Sequence, residues 1–109
     1  MSDLFDVDAR AGAFKPVAVK FRGTEHTLGA TALSLIEATS LYMASPRIEG
    51  EADLKFALRM VKPMLRALSS TVAAEMDARD LEAGEEMAFL PVLTEVVKRL
   101  GAVRFHPEG

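Results

Sequence analysis

Chemistry in a chain of 109 residues without cysteine must come from histidines, hydroxyls or paired carboxylates. The two histidines, His26 and His106, lie toward opposite ends of the chain, with Glu25 and Glu108 as nearby carboxylates. A transition-metal site needs three or four converging ligands, and neither HxxxH nor HExxH spacing brings two together here. The simpler reading is a hairpin histidine whose ring half-covers Phe21 and a tail histidine in water. Ser34, Ser40, Ser45, Ser69 and Ser70 fall within or at the ends of helical patterns, and none sits in GxSxG or SxxK. Glu82, Glu85 and Glu86 offer carboxylates, yet a general acid needs an apolar pocket to raise its pKa, and a charged loop beside Gly84 is a poor host. GxGxxG and GxxxxGK[ST] are both missing, so nucleotide binding has no motif. The expectation is a protein with no catalytic, metal or cofactor site: not an enzyme.

Interaction chemistry is better represented. Lys55, Arg59, Lys62 and Arg66 step by four, three and four, which confines them to a strip roughly 60 degrees wide on one helix. Such a stripe is either a solvated face whose stems shield the core, or a surface for an acidic partner. The acidic stretch Glu75, Asp77, Asp80, Glu82, Glu85 and Glu86 could answer it, within one chain or across two. Nucleic acid fits less well: no aromatic residue interleaves with the stripe, the net charge is −3, and there is no Asn or Gln to pair with adenine. Phe56, Met60 and Met64, at steps of four, flank a second apolar row, and Leu41 lies on the side of Ser34 and Glu37. They are either core or a surface that adapts to a partner helix, a use to which methionine is well suited.

Periodicity defines the elements that carry these residues. Residues 1–15 mix Asp, Gly and Ala with isolated Leu4, Phe5 and Val7, and read as an arm that is flexible or docks on a partner. From Pro16 strict alternation begins, with Val17, Val19 and Phe21 on one face and Ala18, Lys20 and Arg22 on the other. Gly23-Thr24 suits a type II′ turn, which predicts Arg22 opposite Glu25, Phe21 opposite His26 and Val19 opposite Leu28. A helical period follows from about Ala30 to Ala44, with Leu33, Ile36 and Met43 on one stripe and Leu35, Ala38 and Tyr42 beside it; Ser45-Pro46 ends it. The next pattern begins near Glu51, and its row Leu54, Leu58, Val61, Leu65, Leu68 and Val72 is heptad-like. Pro63 inside it either kinks the helix or starts a new one. Glu75 to Glu86, acidic and containing Gly84, reads as a loop or short turn between helices. Phe89, Leu93, Val96, Leu100 and Val103 form the last helical row, again with a proline, Pro91, inside it. Gly101 suits a C-cap, after which Val103 to Phe105 could return as a short strand.

The predicted fold class is α+β: a short N-terminal antiparallel β-hairpin, then three to five helices, with room for a short C-terminal strand. Residues 16–106 form one domain and 107–109 a loose tail. Half the residues are hydrophobic and 27% charged, the balance of a folded chain rather than a disordered one. The acidic start, Met1 to Asp8, lacks the basic and apolar regions of a secretory signal, so the expected location is cytoplasmic. Residues 27–46 carry Glu37 and many hydroxyls, so no bilayer-spanning helix is expected.

The segment PVAVKFRGTEHTLGATALSLIEATSLY, residues 16–42, resembles the opening of the tail-assembly chaperones of long-tailed phages, where a hairpin with a basic and Gly-containing turn leads into a Leu- and Glu-bearing helix. That resemblance implies an oligomeric, non-enzymatic assembly factor in the host cytoplasm that coats a long helical tape-measure protein and helps recruit tail-tube subunits. Leu41, Phe56, Met60 and Met64 are where an apolar partner groove would then sit. The competing expectation is a small regulatory adaptor or inhibitor that binds another protein.

Overall fold

A computed structural model describes residues 7–8, 14–46 and 48–104, the last four by their backbone alone. Strands β1 (Val17–Phe21) and β2 (Thr24–Leu28) form an antiparallel hairpin. Helices α1 (Ala32–Ala44), α2 (Asp53–Leu68), α3 (Ser70–Ala78) and α4 (Ala83–Arg104) follow. The fold is α+β, an N-terminal hairpin leading into four helices among the described residues. None of those helices is long and apolar enough to cross a membrane.

The hairpin turns one residue earlier than predicted. Phe21 pairs with Thr24, Lys20 with Glu25, Val19 with His26 and Val17 with Leu28. Arg22 and Gly23 are the two turn residues, at φ 52° and 79°, and positive φ at both central positions defines a type I′ turn rather than II′. The partner of each residue moves by two positions. Because side chains alternate with a period of two, the faces survive: Phe21, His26 and Leu28 are still together on the buried side.

Each helix boundary has a local cause. Thr31 caps α1 in a capping box, accepting from the Ser34 N–H at 3.1 Å while the Ser34 hydroxyl oxygen faces the Thr31 N–H at 3.4 Å. Leu68 ends α2 because Ser69 adopts an extended conformation and caps α3 through the Val72 N–H at 3.2 Å. The predicted row from Leu54 to Val72 is therefore divided between two helices. The stretch 75–86 is mostly helical instead of a loop: Glu75 and Asp77 lie in α3, and Glu85 and Glu86 occupy the first turn of α4, where carboxylates favour the helix dipole. Pro63 and Pro91 lie inside α2 and α4, neither of which is divided at its proline. At the C-terminal end α4 continues through Gly101 to Arg104, so Val103 and Arg104 are helical where a strand was allowed. The helical preference of one glycine, weaker than alanine's by about 1 kcal/mol, does not end a long packed helix. The expected arm (1–15) falls largely, and the tail (107–109) wholly, outside the described residues, as does His106. Phe14 packs against the core, and Arg99 Nη1 donates to the Lys15 carbonyl at 2.7 Å.

One apolar cluster joins the elements, with Leu28, Val61, Leu65, Val72 and Val96 fully buried. Phe21 meets the Phe89 ring edge-on, centroids 5.1 Å apart, which seats the hairpin on α4. Helix α1 lies against α2. Of the two stripes on α1, Leu35, Ala38 and Tyr42 face inward, with Ala38 fully buried, while Leu33, Ile36 and Met43 are 62–66% exposed.

Candidate interaction surfaces

Helices α2 and α4, with Tyr42 of α1 at one end, wall a groove of about 270 Å³. Phe56, Met60 and Met64 repeat every fourth residue on α2 and so share one face; they form the groove's floor, with Leu90, Leu93 and Val97 of α4 opposite. The three α2 residues are only 5%, 4% and 2% exposed. They are core residues, the first of the two readings their spacing allowed, and what a partner could reach is the groove above them. Tyr42 stands edge-on to Phe56 at 6.0 Å and narrows that end. Thr94, exposed on the rim, donates its hydroxyl to the Leu90 carbonyl at 3.0 Å.

Leu41 does not join this groove. It lines a shallow crevice on another side of the α1–α2 contact, with Ile36, Pro63 and Ala67, and is 37% exposed. The four residues predicted to form one apolar partner site are thus three floor residues and one separate edge.

The basic stripe assembles as one face but is largely engaged within the chain. Arg59 grips Glu51 with two nitrogens, at 2.8 and 3.1 Å, reaches the Pro46 carbonyl at 2.9 Å, and lies over the Phe56 ring. The Glu51 hydrogen bond raises its pKa from an already basic value. Lys62 pairs with Asp80 at 2.9 Å and Arg66 with Asp77 at 2.8 Å. The Asp80 carboxyl is accordingly held below its ordinary pKa, first by the Lys62 hydrogen bond and then by the Leu81 N–H. Lys55 makes no ion pair among the described residues. The acidic stretch therefore answers the stripe inside one molecule, leaving Lys55 as its unengaged member.

Several of the residues considered for catalysis make structural contacts. His26 is 5% exposed; its Nδ1 faces the Thr71 hydroxyl at 2.7 Å, and that hydroxyl meets Ser69 at 3.0 Å, beside the α3 cap. Its Nε2 is buried without a hydrogen-bond partner among the described residues. Ser34 and Ser69 are caps, and Ser45 donates to the Leu41 carbonyl at 2.7 Å. No group of three or more potential ligands gathers among the described residues. Glu85 does not pair with a second carboxyl. It is gripped by Arg22.

Arg22 is the residue sequence reasoning missed. Its Nε and Nη2 donate to the Glu85 carboxylate, both at 3.0 Å, while Nη1 reaches the Glu75 carbonyl at 2.6 Å and Nη2 the Asp80 carbonyl at 3.0 Å. The side chain is only 10% exposed and lies over the Phe21 ring. Glu85 also accepts from the Glu82 N–H at 2.9 Å, so one carboxylate both caps α4 and holds the hairpin turn. These bonds hold the Glu85 carboxyl down at about 2, with the Arg22 hydrogen bond as the largest cause. Positive φ at Arg22 is the conformation that aims its side chain at this network. An Arg-Gly pair between alternating segments marks a turn, but nothing local reveals partners more than 50 residues away.

No protein-family model, curated protein or solved structure matches this chain, so its geometry stands alone as the guide to function.

Proposed function

We propose that this protein is a non-enzymatic interaction protein whose α2–α4 groove receives apolar side chains from a partner helix, in the manner of a phage tail-assembly chaperone holding a tape-measure protein. The carrying observation is the methionine-floored groove between two helices. Thioether side chains adjust to different apolar shapes at little cost, which suits a protein that must hold successive stretches of a long, imperfectly repeating helix. Recognition of this kind takes anchors spaced i, i+3 or i+4 on the ligand. Binding to tail-tube subunits and action as a tail-assembly factor in the host cytoplasm belong to the same proposal.

The groove's modest volume favours a second reading, a small adaptor or inhibitor that captures one or two anchors of a short motif. Gene neighbourhood separates the two: a tape-measure gene directly downstream supports the chaperone, a toxin or polymerase context the adaptor. The groove itself is tested with a labelled amphipathic helical peptide carrying Leu at helical spacing, followed by fluorescence anisotropy. Thr94→Trp places a bulky ring over the groove from an exposed position and should weaken binding at least about tenfold, the scale of a lost interface anchor. Equal binding by wild type and a correctly folded Thr94→Trp variant would remove the groove from consideration.

A further inference from the structure

Strand β1 has an edge that β2 does not cover. The two-residue turn makes Phe21 and Thr24 the closing hydrogen-bonded pair, and hydrogen-bonded and open pairs alternate along an antiparallel ladder. Val17, Val19 and Phe21 therefore turn their backbone groups toward β2, while Ala18 and Lys20 turn theirs away from it. Two neighbouring contacts agree with this parity. The outward N–H of Gly29, beyond β2, reaches the Leu68 carbonyl, and the outward carbonyl of Pro16, before β1, accepts from Arg99 Nη1 at 3.3 Å. Ala18 and Lys20 each keep an N–H and a carbonyl without a partner among the described residues.

An open cleft of about 320 Å³ borders these groups. Side chains of successive strand residues point to opposite faces, so a cavity touched by Val19, Lys20 and Phe21 in a row runs along the edge of the strand. Ala88, Phe89 and Val92 of α4 form its far wall. We infer that β1 is a docking edge for an extended segment of a partner protein, added antiparallel as a third strand. One residue of that segment exchanges backbone hydrogen bonds with Lys20 and the residue two positions on with Ala18, which places the residue between them opposite Val19. Opposed residues share a face, so this middle side chain enters the cleft against Ala88 and Val92, and an aliphatic residue suits it. The side chain opposite Lys20 stays outside. Lys20 is exposed and makes no ion pair among the described residues, which favours an acidic residue there. The recognised segment is thus an acidic residue followed directly by an aliphatic one. The other edge of the hairpin is a poorer host, because the cleft beside β2 carries the carboxylates of Glu25 and Glu37. No residue lines both the β1 cleft and the α2–α4 groove, so the two readings stand or fall separately.

The probe is the blocked heptapeptide TVDVTVT, whose aspartate would face Lys20, with TVKVTVT as its charge-reversed control. Added to the full chain, TVDVTVT should protect the Ala18 and Lys20 amides from hydrogen exchange, read by NMR, and leave those of Glu25 and Thr27 unchanged. Ala18→Pro removes an N–H that the hairpin does not use, so the circular dichroism should persist while binding weakens at least about tenfold. Thr27→Pro, the matching change on β2, should bind as the parent does. Lys20→Glu should turn the preference toward TVKVTVT by about two- to fivefold. Absence of peptide binding, protection at Glu25 and Thr27 instead, or undiminished binding by folded Ala18→Pro overturns the inference. So does loss of binding on Thr94→Trp, which would assign the peptide to the α2–α4 groove.

Discussion

Gly29 closes the hairpin against the helices, and replacing it with alanine measures how tightly. Its φ is 81°, its N–H donates to the Leu68 carbonyl at 3.1 Å, and a Cβ built there would lie 2.9 Å from Leu35 Cδ2 and 3.2 Å from Phe14 Cζ. Gly23 is the matched control: its φ is 79°, but a Cβ there would meet nothing within 4 Å. Both alanines incur the left-handed backbone penalty of about 1 to 2 kcal/mol. Only the Gly29 variant must also displace the ends of the Leu35 and Phe14 side chains, both partly buried, at an overpacking cost near the low end, about 1 kcal/mol. Gly23→Ala should thus lower stability by about 1 to 2 kcal/mol and Gly29→Ala by about 2 to 3 kcal/mol, read from urea midpoints at constant m. At this size the difference between the two variants corresponds to roughly 4 to 8 °C per kcal/mol in Tm. Adding Leu35→Ala to Gly29→Ala should cost less than Leu35→Ala costs the parent, because the same contact is removed. Equal losses in the two glycine variants, with no coupling to Leu35, would refute the close approach of Gly29 to Leu35 and Phe14.

Other outcomes follow from the same structure. The Glu85 carboxyl sits at about 2 against an ordinary 4.5, so its contribution is complete above pH 4.5 and is lost as pH falls toward 2. Unfolding midpoints should drop through that window, and Glu85→Gln, less stable at neutral pH, should show a shallower drop; an unchanged slope would contradict the Arg22 clamp. Pro91 is exposed inside α4 and has no N–H for the Met87 carbonyl, so Pro91→Ala should raise stability by about 1 to 3 kcal/mol, with no gain showing that the helix gains nothing from an N–H at that position. Met64→Ala, at a site 2% exposed, should cost about 2 to 5 kcal/mol, whereas Leu54→Ala, 56% exposed, should cost less than about 1 kcal/mol. Reversal of that order in chemical denaturation would mean that α2 is rotated from its described orientation.

Alternation made the hairpin legible, because Val17, Val19 and Phe21 can share a buried face only in an extended strand. Its turn was not, since Gly23 suits the second position of a type I′ turn as well as the first of a type II′ turn. The partners of Arg22 in α3, α4 and the segment between them accompany the first arrangement, and they are far away in sequence. Helix α1 shows the opposite limit. It is apolar on two sides, so periodicity found both stripes without telling which one meets α2. On α2 the heptad row and the Phe56, Met60 and Met64 row are both hydrophobic, and from Met60 onward both are buried because the hairpin, α1 and α4 surround the helix. The pairing of the basic stripe with the acidic stretch was legible as an option. Geometry realised it within one chain, because α3 and the segment before α4 bring Asp77 and Asp80 beside Arg66 and Lys62.

An isolated two-stranded hairpin is marginal in water, and among the described residues no third strand joins this one. What holds it must act at its two ends and on its buried face. At the turn, Arg22 binds carbonyls and a carboxylate from α3, the following segment and α4, substituting for the ladder a neighbouring strand would supply. At the open end, Gly29 donates to the last carbonyl of α2, and Arg99 ties the carbonyls of Lys15 and Pro16 to α4. Between them, Phe21, His26 and Leu28 are buried against the helices. These attachments reach α2, α3 and α4, but the outward side of α1 takes no part in them. The same arrangement that fixes the hairpin therefore leaves one apolar helix face, that of Leu33, Ile36 and Met43, uncovered among the described residues.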